Sequence, residues 1–143
     1  MGRVQKNERG ANLVEFAILA PLLIVLLFGI VEFAWVFSIN LDIRHGAREA
    51  GRMAATDDLP TPELNAICTR MDVGNDPQTE VSITRSGTDI GDDITVVVQS
   101  PVRTLTGILD WVLPSTATLN STIIVRQEQH PNWAEIASPT ACP

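Results

Sequence analysis

From Phe16 to Val31 the chain carries no charge and no amide, only Ala, Ile, Leu, Val, Phe, Pro21 and Gly29. After the single carboxylate of Glu32 the apolar run resumes and reaches Ile39. Built as a helix, Phe16 to Ile39 spans roughly 36 Å, enough to cross a hydrocarbon core of about 30 Å with some tilt. The pattern therefore predicts a membrane helix, with Pro21 a place where it can kink. A cleaved secretory signal has a shorter apolar centre followed by a small-x-small site. Phe37-Ser38-Ile39-Asn40 offers no such site, and helical spacing continues past it.

From Asn40 to Ala55 the pattern predicts that the same helix leaves the membrane unbroken. Gly46, Ala47, Ala50, Gly51, Ala54 and Ala55 give it a face of small residues, and Arg44, Arg48 and Arg52 recur at i, i+4 and i+8. A row of like charges is mildly unfavourable unless it meets acidic groups of its own domain or of a neighbour; local relief from Glu49 is the plainer reading.

Asp57-Asp58-Leu59-Pro60 ends that helix, and Thr61-Pro62-Glu63 reads as an N-cap with proline at the first helical position. A short helix to about Met71 then sets Leu64, Ile67, Cys68 and Met71 on one side. A turn follows at Gly74 to Pro77. Val81 and Ile83 alternate with polar residues, Ser86-Gly87-Thr88 turns the chain, and Ile94 to Val98 returns it, which predicts a β-hairpin. After Pro101 a short helix is expected from Leu105 to Leu113, carrying Trp111. Thr116 to Gln127 forms a third β-rich run with Leu119, Ile123 and Val125 on one face, and the tail from His130 is irregular and pinned by Cys142. The fold class is α+β: a long N-terminal helix continuing into a domain with a small antiparallel sheet. The expected divisions are 1–10 as a leader, 11–56 as the helix and 57–143 as the α+β domain.

Composition sharpens this division. The 143 residues carry a net charge of −7. From Ala54 onward four arginines (70, 85, 103, 126) stand against twelve carboxylates, a net of −8, so nucleic acid is excluded as a partner of this part. Roughly 100 residues beyond the anchor suffice for one small domain. Cys68 and Cys142 lie in no metal or redox spacing. They form a disulfide if the domain lies outside the cytoplasm, and two separate buried thiols are the alternative. Three Lys/Arg flank each side of the anchor, so the basic residues alone leave orientation close to a tie. The short basic N-terminus and the acidic, cysteine-bearing C-terminal part favour the N-terminus inside and the domain outside.

One string is more specific. Arg9-Gly10-Ala11-Asn12-Leu13-Val14-Glu15-Phe16 places a glutamate five residues after a glycine, an aromatic beside that glutamate, and an apolar segment with Pro21 behind it. It resembles the prepilin peptidase site of type IV pilins. The longer stretch through Phe28-Gly29-Ile30-Val31-Glu32-Phe33 is similar to the TadE-like pseudopilins of tight-adherence (Tad, type IVc) pili. The resemblance covers residues 8 to 55. It implies cleavage between Gly10 and Ala11, with Gly10, Ala11, Glu15 and Phe16 forming the processing site, and a chain held in the cytoplasmic membrane as a single-pass protein. The implied partners are the bilayer, prepilin peptidase, other pilins or pseudopilins and the pilus assembly platform. Major Tad pilins resemble a much shorter chain and carry Glu-Tyr; Glu-Phe and a distal domain point to a minor pilin or pseudopilin of an adhesive filament.

Within that frame Glu15 neutralises a neighbour's new α-amino group or rests at the headgroups, and Glu32, Arg44, Arg48 and Arg52 are the further assembly candidates. Glu32 needs protonation, a route to the interface, or a facing subunit. Glu15 and Glu32 lie about 100° apart around the helix, so one partner surface does not serve both. His45 and His130 have no catalytic neighbours in motif spacing, and the acidic turn at Asp89, Asp92 and Asp93 lacks the spacing of an EF-hand. No enzyme, metal or cofactor is expected. The competing function is a permanently anchored extracytoplasmic binding module whose Gly10-x₄-Glu15 match is accidental.

Overall fold

The computed structural model describes residues 8–56, 64–69, 78–107, 110 and 116–142. Helix α1 (Glu8–Ala55) is unbroken for 48 residues and runs through Pro21, a length of about 72 Å. Among the described residues it is one helix long and apolar enough to cross a membrane. It begins at Glu8, three residues before the expected start at Ala11, because Glu8, Arg9 and Gly10 hold no proline to stop a helix propagating back from the apolar run.

Two regimes follow one another along α1. From Gly10 to Val31 every side position is exposed except Ala20, which is half-buried; Leu13, Phe16, Leu22, Leu23 and Ile30 are among the large apolar residues left open. At Glu32 burial starts abruptly and continues as a stripe at helical spacing through Ile39, Ile43, Gly46, Ala47, Ala50, Met53 and Ala54. That stripe includes the small-residue face expected from the sequence.

The stripe packs on a four-stranded antiparallel sheet made of β1 (Glu80–Arg85), β2 (Asp93–Pro101), β3 (Thr118–Arg126) and β4 (Ile136–Ala141), in the order β3-β2-β1-β4. β1 and β2 form the expected hairpin, with Val81 opposite Val98 and Ile83 opposite Val96. β2 then pairs with β3, setting Ile94 against Val125 and Val96 against Ile123. Period-two alternation sends Val81, Ile83, Ile94, Val96 and Val98 into the core beneath the helix, where all five are fully buried. Close approach of helix to sheet explains Gly51: a Cβ there would lie 2.7 Å from Ile123 Cδ1 and 3.1 Å from Val125 Cγ1.

Two expectations are corrected. Leu105, Thr106 and Gly107 form a bend and not the start of a helix. Gly107 has φ +74°, a left-handed conformation that ends any helical run, and Asp110 N–H donates back to Gly107 C=O at 3.2 Å; Trp111 and most of the rest of that stretch lie outside the described residues. The tail is not irregular either, since Ile136–Ala141 joins β1 as an edge strand, with Glu80 opposite Ala141 and Ile83 opposite Ile136 across a bulge. Its side chains after Ile136 are exposed and it contains Pro139, so no alternation marks it in the sequence.

Helix α2 (Leu64–Thr69) carries Ile67 and Cys68 into the core. Met71, the capping stretch 57–63 and the turn at 74–77 lie outside the described residues. Cys68 is bonded to Cys142, with Cα atoms 5.8 Å apart and both residues buried. Cys142 N–H also donates to Thr79 C=O at 2.8 Å. Trp133 is buried beside them and donates its indole N–H to Ala54 C=O at 3.2 Å, while Arg85 lies 4.9 Å from the Trp133 ring centre and donates to its C=O. Helix end, first strand and tail are thereby tied at one point.

The disulfide closes a loop of 74 residues, for which chain entropy predicts up to about 4.5 kcal/mol of stabilisation. Cys68→Ser and Cys142→Ser are each expected to lose a similar amount in denaturant unfolding of the detergent-solubilised chain, with the double variant no worse than either. Additive losses would contradict a shared bond.

Candidate functional site

The expected processing residues sit together at the open end of α1. Gly10, Ala11, Glu15 and Phe16 are all exposed, Phe16 at 69 %. A Cβ on Gly10 would meet nothing within 4 Å, so its smallness answers to no packing within this chain. Glu15 has no hydrogen bond or ion pair among the described residues. The Gly10–Ala11 peptide lies in the first turns of the helix, where N–H groups lack intrahelical acceptors and fraying is easiest.

Glu32 is in a different situation. It stands seventeen positions further on, roughly 26 Å along the axis, and no part of it is exposed. One carboxylate oxygen accepts from Leu105 N–H at 2.7 Å; the other accepts from Thr106 N–H at 2.7 Å and from the Thr106 hydroxyl. The three donors come from the bend that follows β2. That bend is braced in turn, because Val102 N–H donates to Ala117 C=O at 2.9 Å and the Thr104 hydroxyl donates to Asp110. The fold supplies a further way of accommodating Glu32 beside the three expected from the sequence: its partners are two backbone amides and a hydroxyl of its own domain. A carboxylate inside an apolar run demands donors, and that was legible. Which residues supply them, 73 positions away, was not.

The arginine row divides. Arg52 is held by Glu49, with Nη2–Oε1 at 2.8 Å and Nε–Oε2 at 3.2 Å, the local relief that the plainer reading gave. Arg44 and Arg48 are exposed and make no hydrogen bond or ion pair among the described residues. They line a groove of about 300 Å³ with Asn120, Ser121, Thr122 and Ile123 of the edge strand β3. Among the described residues the assembly candidates thus separate into a free carboxylate at Glu15, a satisfied one at Glu32, a paired Arg52 and two unpaired arginines. Cys68 and Cys142 serve the fold and touch none of these. Leu105 and Thr106 are the functional residues that the sequence did not flag.

Residues 10–52 match the family model of TadE-like proteins. Over that segment the chain is similar to TadE-like proteins. No curated protein and no solved structure matches it. The TadE-like segment is the exposed run plus most of the stripe on which the sheet packs, so it contains Gly10, Glu15, Glu32, Arg44, Arg48 and Arg52, whereas the strands lie beyond it. Leu105 and Thr106 also lie outside the matched segment, though their acceptor is within it.

Replacing Glu32 by Ala leaves the Leu105 and Thr106 amides without acceptors. Their hydrogen exchange is expected to accelerate roughly tenfold or more while the amides of β1 and β2 keep their protection. Unchanged exchange at both amides would show that the carboxylate does not hold the bend.

Proposed function

We propose that this TadE-like protein is a minor pilin or pseudopilin of a Tad-type (Flp) adhesive pilus, processed by prepilin peptidase between Gly10 and Ala11 and brought into assembly through its N-terminal helix. The observation that carries the reading is the coincidence of the TadE-like match with a helix that is open on all sides from Gly10 to Val31. Such a surface suits a bilayer while the protein is stored and the helices of other subunits once it is assembled. The Cys68–Cys142 bond supports a domain on the oxidising, outer side of the cytoplasmic membrane and an N-terminus inside.

The unpartnered Glu15 fits the role of counter-charge. Cleavage creates an α-amino group at Ala11, and a charge left unpaired in an apolar helix bundle costs several kcal/mol. Glu32 is not available for this purpose, since its own domain occupies both oxygens. Prepilin peptidase, the other pilins and the assembly platform are the partners this role requires.

N-terminal sequencing and intact mass of the membrane-extracted chain test the processing step. A mature terminus at Ala11 is expected, and Gly10→Leu is expected to leave the precursor uncut at unchanged membrane level. An intact leader on the parent chain in peptidase-competent cells would instead favour a permanently anchored binding module.

Glu15→Gln separates assembly from anchoring. It is expected to be cleaved and inserted as well as the parent, because an anchor gains from losing a carboxylate near hydrocarbon, yet to be depleted from the sheared pilus fraction. Equal amounts of variant and parent in that fraction would return Glu15 to the headgroups.

A further inference from the structure

Among the described residues, the groove between α1 and β3 joins two unpaired arginines to the open edge of a sheet. Arg44 and Arg48 are one helical turn apart on the same face, and no carboxylate of their own helix competes for them: Glu49 is held by Arg52, and Asp42 has a partner of its own. β3 ends the sheet, so every second residue turns its N–H and C=O outward. Asn120, Ser121 and Thr122 add side-chain donors and acceptors to the floor. This is a receptor for carboxylates on an exposed turn.

The chain carries such a turn at its other end. α1 finishes at Ala55, whose C=O accepts from Glu128 N–H at 2.9 Å. Gly91 and Asp92 are bonded to Gln127 beside it, each through a backbone contact of 2.9 Å. Asp89, Asp93 and Glu128 are therefore gathered at the tip where the helix ends, all exposed and none with a side-chain partner among the described residues. Asp92 is turned inward and accepts from Asp89 N–H at 2.9 Å. Arg126 stands opposite Asp93 in the ladder and leaves the tip net acidic.

We propose that the Arg44–Arg48 groove of one copy receives the Asp89–Asp93 tip of a second copy, displaced along the helix axis. Arg48 lies about 10 Å and Arg44 about 17 Å short of Ala55 along α1, and that difference is the stagger. Two copies at the same height in a membrane would not make the contact, whereas copies moved past one another do. Groove and tip are different surfaces, so the contact is heterologous and offsets the second copy along the axis. Lipid headgroups are poorer occupants: Arg44 lies twelve positions, about 18 Å, beyond Glu32, where the fully open part of the helix has already ended. The proposal rests on the pilin reading above and deepens it by assigning the subunit contact.

The test uses two differently tagged full-length chains, solubilised in detergent, and measures co-purification. Arg44→Glu/Arg48→Glu places carboxylates in the groove, and Asp89→Arg/Asp93→Arg places cations on the tip. Each reversed variant alone is expected to co-purify with itself roughly fivefold less than the parent does. Mixing the two reversed variants is expected to restore the yield, since every groove then meets a tip of opposite sign. Retention of the Cys68–Cys142 bond, read by mobility without reductant, confirms that each variant is folded. Undiminished self-association of either reversed variant overturns the proposal. Loss in both without recovery in the mixture overturns it as well, and assigns the arginines to another acidic partner. Maturation at Ala11 is read separately, so failure here leaves the pilin reading standing.

Discussion

A carboxylate on an apolar helix must find hydrogen-bond donors, and Glu32 finds them in the backbone of Leu105 and Thr106. This contact fixes where the domain begins. On the N-terminal side of Glu32 the helix is bare almost all round; on the C-terminal side one stripe packs on β2 and β3. Helix–sheet packing through Ile43, Ala47, Ala50 and Ala54 supplies most of the hydrophobic burial. Packing of small residues is tolerant of sliding, however, while three hydrogen bonds to one carboxylate are not. Glu32 thereby sets the height of the domain on its helix, and with it the distance from the tip to Arg44 and Arg48.

The helix was legible because its signals are local: an apolar run, a small-residue face, arginines every four positions. The β1–β2 hairpin and the buried face of β3 were legible for the same reason, through alternation at Val81, Ile83, Ile94, Val96, Ile123 and Val125. What the residues did not disclose is non-local or one-sided. β4 contributes main-chain pairing with almost no buried side chain, so its six positions read as coil. The bend at Leu105 resembles a helix start in composition, and only its distant acceptor and the left-handed Gly107 make it something else. In the candidate site, Gly10 and Glu15 were visible as a motif; the inequality among Arg44, Arg48 and Arg52 depends on where β3 runs.

The two edges of the sheet are treated differently. β4 is anchored by the disulfide, by Cys142 N–H on Thr79, and by the Arg85–Trp133–Glu135 cluster. Among the described residues β3 has no such cover and lies beside unpaired cations. An open edge is a hazard for a soluble monomer, because it templates pairing with other chains. For the proposed self-contact, flanking that edge with arginines admits an acidic turn and discourages a second copy of the same edge, whose arginines would face them.

Affinity and register then come from separate parts of the molecule. Exposed ion pairs contribute about 0.2–1 kcal/mol each and are screened by salt, too little to hold a filament. The bare helix offers apolar area along some twenty residues, but helix packing of this kind has several near-equivalent rotations and offsets. Electrostatic complementarity serves best where energy is already sufficient and position is not, since like-charge alignments are penalised and one alignment is favoured. A rigid helix locked to its domain at Glu32 makes that selection effective: in the proposed contact, a stagger chosen at the Arg44–Arg48 groove carries along α1 to Glu15, some 45 Å away along the axis.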